Sequence, residues 1–378
     1  MPPIFRETAG ALPVATVYWG RFGAGAALMR EISQALARDE RFDLYASPSL
    51  QSEAPLDMPQ ARLLPIATFS NPAMLLARSI RLNAIIRDFV RRLSMARVRA
   101  IVTIMPHVWG LALQREARLA GVATILIVHD ADPHPGERRL IFDRLVRWET
   151  RGSDHIVTLS RHVADRLLAR GDVVESRLTR LYHPVLRFGP PAQGGPSVPF
   201  RLVFFGRILP YKGVGMLLEA FSVVRARGID CTLRIVGRGR IDAPDHLKAQ
   251  PGLTIDEGWV APDAIADVLR SADAIVLPYL EASQSGVVAA AYGAGAPVVA
   301  TPVGGLVEQV LPGETGVLSN GVTAEDFARA AARLIRTPGL YAACQGGVAR
   351  YAALHRPEDF VKTLGDAIVA AIARKTAG

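Results

Sequence analysis

Short apolar runs alternate with helical stretches along this 378-residue chain, and the alternation is interrupted at FGPPAQGGPSVPF, residues 188 to 200. Before the interruption come VATVYW, a Gly-bearing turn and AALMREISQALARD, then apolar RAIVTIM, VATILIV and HIVTLS separated by helical segments. Runs that are apolar throughout, rather than every second residue, suit strands covered on both faces, so the pattern predicts a mainly parallel sheet flanked by helices. The Pro/Gly-rich stretch can sustain neither helix nor strand. After it the pattern restarts with RLVFFG, a helix from Val214 to about Arg227, CTLRIVG, LTIDEGW and DAIVLPY, followed by a helix of small residues.

The expectation is an α/β chain of two Rossmann-like, doubly wound domains facing a central cleft, a number that its length also favours. The boundaries predicted are 1–188, a linker at 189–200, and 201–360, with a C-terminal helix at 361–378 packing across the linker. Ligands of such sheets bind beyond the carboxyl ends of the strands, so the loops at Gly23, His129, Arg207, Gly237 and Glu281 are expected to share that cleft.

Composition narrows the function. Residues 1–195 carry 26 Arg and no Lys against 18 acids, or +8, whereas the remainder has 18 basic residues against 17 acids, so nearly all of the net +9 lies in the first half. That field favours anionic partners: a phosphorylated acceptor, phospholipid headgroups or nucleic acid. Cys231 and Cys344 are far apart and outside any C-x-x-C, which indicates neither a disulfide framework nor a zinc ribbon. The N-terminal MPPIFRETAGALPVATVYWG has charge and proline where a secretory signal needs an apolar core, so a cytoplasmic location is expected. Residues 282–307 are uncharged and long enough for a membrane span, but five glycines, two prolines and a polar opening divide them into loop, helix and short buried strand.

The strongest chemical signal is VFFGRILPYKGVGMLLEAF. A strand ends at Gly206-Arg207, and a helix starts just after Lys212-Gly213. Across that turn two cations can converge on one pyrophosphate beside a helix N-terminus, which is what a leaving diphosphate needs. In VATILIVHDADPHPGE, His129 ends a buried strand. Asp130-Ala131-Asp132 and the set His129, His134, Glu137 have the residue types of a metal site, yet the cations already offset diphosphate charge; no metal is expected, and Asp130 reads as a loop-capping or acceptor-side residue. Gly23 and Gly25 of RFGAGAALM give an incomplete dinucleotide fingerprint, read as a tight turn beside a ligand, and no P-loop motif is present.

From these motifs the chain resembles the family 4 glycosyltransferases, whose donor domain opens with a strand, G-R-x4-K-G and an L-L-E-A-F helix. The resemblance continues through LRIVGRG, GWVAPDAIADVLRSADAIVLPY and PVVATPVGGLVEQVLPGETGVL, over nearly all of residues 200–336. It implies the GT-B architecture and a retaining, metal-independent transfer of sugar from a nucleoside-diphosphate sugar, with no resident cofactor, to a glycan or lipid-linked acceptor. It further implies that Gly206, Arg207, Lys212 and Gly237 bind the donor, that His129 contacts the acceptor or the transferred sugar, and that Glu281 orients the sugar. The family usually carries two glutamates separated by seven residues. Here Glu281 is the candidate for the first, and the second position falls near Ala289 or Ala290. EASQSGVVAAAYG looks like a subgroup variant in which Gln284 and the backbone amides of Ser285, Gly286 and Val287 meet the donor.

Arginine-rich residues 72–99 fit either a helix lying on an anionic membrane surface or a core-packed helix with a solvated basic face. Rival functions are a nucleotide-sugar epimerase, a catalytically dead scaffold, and a basic nucleic-acid-binding protein. Few aromatics interleave with the charge, so nucleic acid is not expected as a partner.

Overall fold

A computed structural model describes residues 10–21, 23–52, 56–133, 139–192 and 194–377. The chain divides into two compact units, each built on a six-stranded parallel sheet.

The first unit comprises the described residues up to Pro184 together with the C-terminal helix Pro357–Ala377. Its strands are β1 (Leu12–Tyr18), β2 (Phe42–Pro48), β3 (Ala100–Thr103), β4 (Ala123–Val128), β5 (His155–Thr158) and β6 (Leu178–Arg180), in the order β2-β1-β3-β4-β5-β6. β3, β4 and β5 are buried along their whole length, which is why they read as unbroken apolar runs. The order reverses between β1 and β3, so their carboxyl ends form the crevice where a ligand of this sheet would lie.

The second unit covers Val185–Arg356. It contains β7 (Phe200–Phe205), β8 (Cys231–Gly237), β9 (Leu253–Glu257), β10 (Ala274–Leu277), β11 (Val298–Ala300) and β12 (Gly316–Leu318), ordered β12-β11-β10-β7-β8-β9. Its reversal lies between β7 and β10, which pair through Ala274↔Leu202 and Ile275↔Val203.

Two details differ from the sequence expectation. The Pro/Gly-rich stretch is laid along the second unit: Leu186 N–H donates to the Ala289 carbonyl at 3.2 Å, Ala192 N–H to Ala294 at 2.8 Å, and Ser197 Oγ to Asp273. A segment without its own hydrogen-bond ladder satisfies its backbone on its neighbours, and the change of unit accordingly falls at Pro184. The C-terminal helix, Pro357–Ala377, packs on the helix Ala24–Leu36 and on β3, β4 and β5 of the first unit. Arg38–Glu358, Arg41–Asp366 and Lys375–Asp154 ion pairs fix its register there. Gly365 lets it approach, since a Cβ there would stand 2.3 Å from the Arg41 guanidinium.

The arginine-rich stretch forms two helices. Asn71 caps Pro72–Ile80 by accepting the Met74 N–H, and the following helix, Leu82–Met95, buries Ile86, Phe89, Val90 and Leu93. The second helix is therefore core-packed with a basic outer face. The first leaves Leu76 and Ile80 71% and 82% exposed.

Candidate functional site

At the β7–β10 reversal the backbone is forced into shapes that only glycine tolerates. Gly213 sits at φ 66° between the turn Pro210–Lys212 and the helix Val214–Ala226, and a Cβ there would be 1.9 Å from the Pro278 carbonyl oxygen. Gly237, closing β8, lies so near Gly206 that a Cβ would stand 1.8 Å from the Gly206 carbonyl oxygen, and Gly206 N–H donates to Val236. The loop carrying Arg207 and Lys212 is thereby pinned to both neighbouring strands, with Leu280 N–H donating to the Tyr211 carbonyl at 2.7 Å.

Lys212 acts on Tyr279, which follows β10. Lys212 Nζ lies 3.6 Å from the centre of the Tyr279 ring and 4.9 Å from that of Tyr211. Burial pushes the Tyr279 hydroxyl well above its ordinary range, while its hydrogen bond with Ser285 and the charge of Arg207 oppose the shift. Two positive side chains thus gather at one strand-end crevice.

Ser285 caps the small-residue helix Gly286–Gly293, its Oγ accepting the Val287 N–H at 3.2 Å. Its own N–H donates to Gln309 Oε1 at 2.7 Å, and Gln309 Nε2 donates back to the Ser285 carbonyl. The expectation that the amides of Ser285, Gly286 and Val287 all meet phosphate is corrected accordingly: Ser285 and Val287 donate within the protein, and the Gly286 amide opens the helix. Ala289 and Ala290, where a second glutamate was sought, are buried in that helix at 3% and 4% exposure. Gly293 packs so tightly against the Leu186 carbonyl that a Cβ would come within 2.0 Å. Glu281 is exposed in the loop before the helix, and Gln284 is half-buried.

In the first unit, Gly23 at φ 84° starts the helix Ala24–Leu36. Gly25 is buried, and a Cβ there would be 2.6 Å from the Tyr18 ring, so it serves packing. His129 follows β4 and is 2% exposed; Nε2–H donates to the Ile104 carbonyl at 2.9 Å. Burial holds the ring below the ordinary histidine range, with Asp130 and the Ile104 bond opposing. A buried ring that donates to a backbone carbonyl suits an orienting role. Beyond Asp130, Asp132 is held by Arg166 and Arg170, and Arg170 also donates to the Ala131 carbonyl. His134 and Glu137, which complete the other metal-like set, lie outside the described residues.

Sequence reasoning missed a cluster at the β1–β3 reversal. Trp19, Phe69, His107 and Trp109 meet edge to face or tilted, with ring centres 5.6–6.2 Å apart. The loop after β3 is anchored by Glu149, which is 2% exposed and accepts the His107 N–H at 3.1 Å. Burial pushes this carboxyl up to about 8, with the His107 bond opposing. The clue in the sequence was IMPHVWG directly after a buried strand.

The comparisons agree in both halves. Residues 199–337 match a family model described as glycosyl transferases group 1, and residues 19–184 match one described as a glycosyl transferase 4-like domain. The chain belongs to the group 1, family 4-type glycosyltransferases. Among curated members, the D-inositol 3-phosphate glycosyltransferase of Rhodococcus jostii is 35% identical over 267 residues, 65% of this chain and 58% of that protein. The homologue from Rhodococcus opacus is 34% identical over the same shares. The chain thus matches these relatives over less than two thirds of their length.

Solved structures share the fold. Sucrose-phosphate synthase of Thermosynechococcus elongatus aligns over 96% of this chain and all of its own, with TM-score 0.72 and 17% identity. HepE of Anabaena, solved in complex with UDP, aligns over 95% of this chain and all of its own, with TM-score 0.69 and 14% identity. The architecture is GT-B, two units each with a parallel six-stranded sheet.

Proposed function

We propose that the chain transfers a sugar from a nucleoside-diphosphate sugar to an acceptor hydroxyl, with retention of configuration and without a metal. The observation that carries this reading is the glycine-pinned loop at the β7–β10 reversal, which carries Arg207 and Lys212 with Lys212 seated on the Tyr279 ring. Cations preorganised there stabilise the diphosphate as the glycosidic bond breaks, and the Gly286 amide adds a donor at a helix N-terminus. Glu281 orients the transferred sugar, and the acceptor hydroxyl passes its proton to the departing phosphate. Matches to glycosyltransferase models in both halves favour transfer over epimerisation. HepE solved with UDP-glucose supports a nucleotide-sugar donor, which is a co-substrate, so no resident cofactor is needed.

For the acceptor, the half-buried rings of Phe69 and His107, backed by buried Trp19 and Trp109, offer an edge for a sugar or cyclitol ring, with His129 at the end of β4 to orient a hydroxyl. Relatives named for inositol 3-phosphate support a phosphorylated acceptor, which the basic first half also suits. We assign the reaction to bacterial glycan or lipid-linked glycan synthesis in the cytoplasm.

The test is thermal shift with UDP-, GDP-, ADP- and TDP-sugars in EDTA. One nucleotide should raise the melting temperature of the parent, and raise that of Arg207→Ala and Lys212→Ala by less. No shift at millimolar concentration with any of them overturns the donor reading.

We also propose a peripheral membrane contact. No helix among the described residues is long and apolar enough to cross a membrane. Leu76 and Ile80, exposed on Pro72–Ile80, lie close in sequence to Arg78, Arg81, Arg87 and Arg91, which gives an apolar wedge in a basic surround. Vesicles containing phosphatidylserine should sediment the protein at low salt, and Leu76→Ser/Ile80→Ser should stay in the supernatant. Equal recovery of both proteins with neutral and anionic vesicles excludes the contact.

A further inference from the structure

We propose that Tyr279 is a positioning residue of the diphosphate site, its ring holding the Lys212 ammonium and its hydroxyl tied to the Ser285 loop. This deepens the donor-site reading above and rests on it.

A lysine ammonium on four methylenes is a mobile point charge, and ordering it has an entropic cost at the moment of binding. The face of an aromatic ring lowers that cost in advance by attracting the cation. Lys212 Nζ stands 3.6 Å from the centre of the Tyr279 ring, close enough for direct contact with the π-face. The ring cannot follow a wandering lysine, because Tyr279 is 1% exposed and Tyr211 meets it edge to face at 6.5 Å between centres.

The far side of Tyr279 is equally constrained. Its hydroxyl shares a 3.4 Å hydrogen bond with Ser285 Oγ, the same atom that caps the small-residue helix. Gln309, 6% exposed, grips the Ser285 backbone at both N–H and carbonyl. The turn before Gln309 presses on the same loop: a Cβ on Gly305 would be 2.2 Å from the Ser283 carbonyl oxygen, and Gly305 N–H donates to Ala282. The loops after β7, β10 and β11 therefore meet at one buried tyrosine, which couples the lysine to the amide that opens the helix. A tyrosine serving packing alone would show no energetic coupling to Lys212.

The experiment is a double-mutant cycle on affinity for UDP, with GDP, ADP and TDP run in parallel, by titration calorimetry. Tyr279→Phe keeps the ring and should weaken binding about threefold through the lost hydroxyl contact, whereas Tyr279→Leu should weaken it about tenfold. In a Lys212→Ala background Tyr279→Leu should add at most about twofold, because the cation it held is gone. Additive losses overturn the proposal and leave the donor reading standing. Failure of the parent to bind any of the four nucleotides overturns the donor reading itself. Should Tyr279→Leu not fold, fluorinated phenylalanines at 279 keep the shape while draining the negative face. Affinity should then fall stepwise with fluorination, and a flat response also overturns the proposal.

Discussion

Arg207→Ala and Lys212→Ala, made separately, should each lower kcat/KM for sugar transfer by about 10²–10³-fold, the range found when one preorganised transition-state contact is removed. The loss should fall mainly on kcat, since negative charge on the bridging oxygen grows only as the glycosidic bond breaks. Folding should be nearly unaffected: Arg207 is exposed and Lys212 half-buried, and the loop's shape is set by Gly206, Gly213 and the backbone bonds around them. Lys212→Arg should recover little, because a guanidinium stacked on the Tyr279 ring spreads its charge over a larger plane and no longer presents a compact ammonium to the diphosphate. Steady-state kinetics with the donor selected by thermal shift make the comparison. Losses under threefold in both alanine variants would remove the pair from the reaction.

The sequence made these two residues legible because the information is local. A buried strand, a Gly-Arg ending and a Lys-Gly helix start follow one another between Phe200 and Gly213, and the structure places the two cations in the loop after β7. Long, wholly buried strands were legible for the same reason. β2 has the mixed burial of a sheet edge, while β6 and β12 are three residues long, so their apolar runs carry little signal. An amphipathic helix says that it needs a partner but not which one, so Pro357–Ala377 gave no sign that it covers the first sheet.

What the sequence hid at the site are contacts between distant residues. Ser285 and Gln309 are 24 positions apart, and His107 and Glu149 are 42. For the amides of residues 285–287 just such a contact matters: Gln309 takes the Ser285 N–H and Ser285 Oγ the Val287 N–H, which leaves Gly286 as the amide that opens the helix. His129 ends β4 as read, while its burial and its bond to the Ile104 carbonyl, 25 positions away, were not legible.

Glu149→Gln should make the protein more stable than the parent at pH 8 and little different near pH 4.5. Two effects compete at this carboxyl. The His107 N–H and the start of the helix Gly110–Leu119 favour the charged form, while burial at 2% exposure disfavours it. Burial wins, raising the group from 4.5 to about 8. The folded protein therefore keeps a proton that the unfolded chain gives up near 4.5. Stability is fully present below that value and is lost as pH rises through 8, at up to about 1.4 kcal/mol per pH unit. Glutamine keeps an oxygen for the His107 N–H and has no charge to desolvate, so the variant escapes the loss. A gain of about 2–3 kcal/mol corresponds to roughly 5–10 °C in melting temperature for a domain of this size. His107, His155 and His183, each pushed down to about 4, act oppositely between pH 4 and 6.5, but in both proteins, so the difference curve isolates Glu149. Glu149→Ala should be less stable than Glu149→Gln at every pH, because it leaves the His107 N–H without its acceptor. A difference between Glu149→Gln and the parent that stays flat from pH 4.5 to 9 would mean that the carboxylate is charged in the fold, with the helix start outweighing burial.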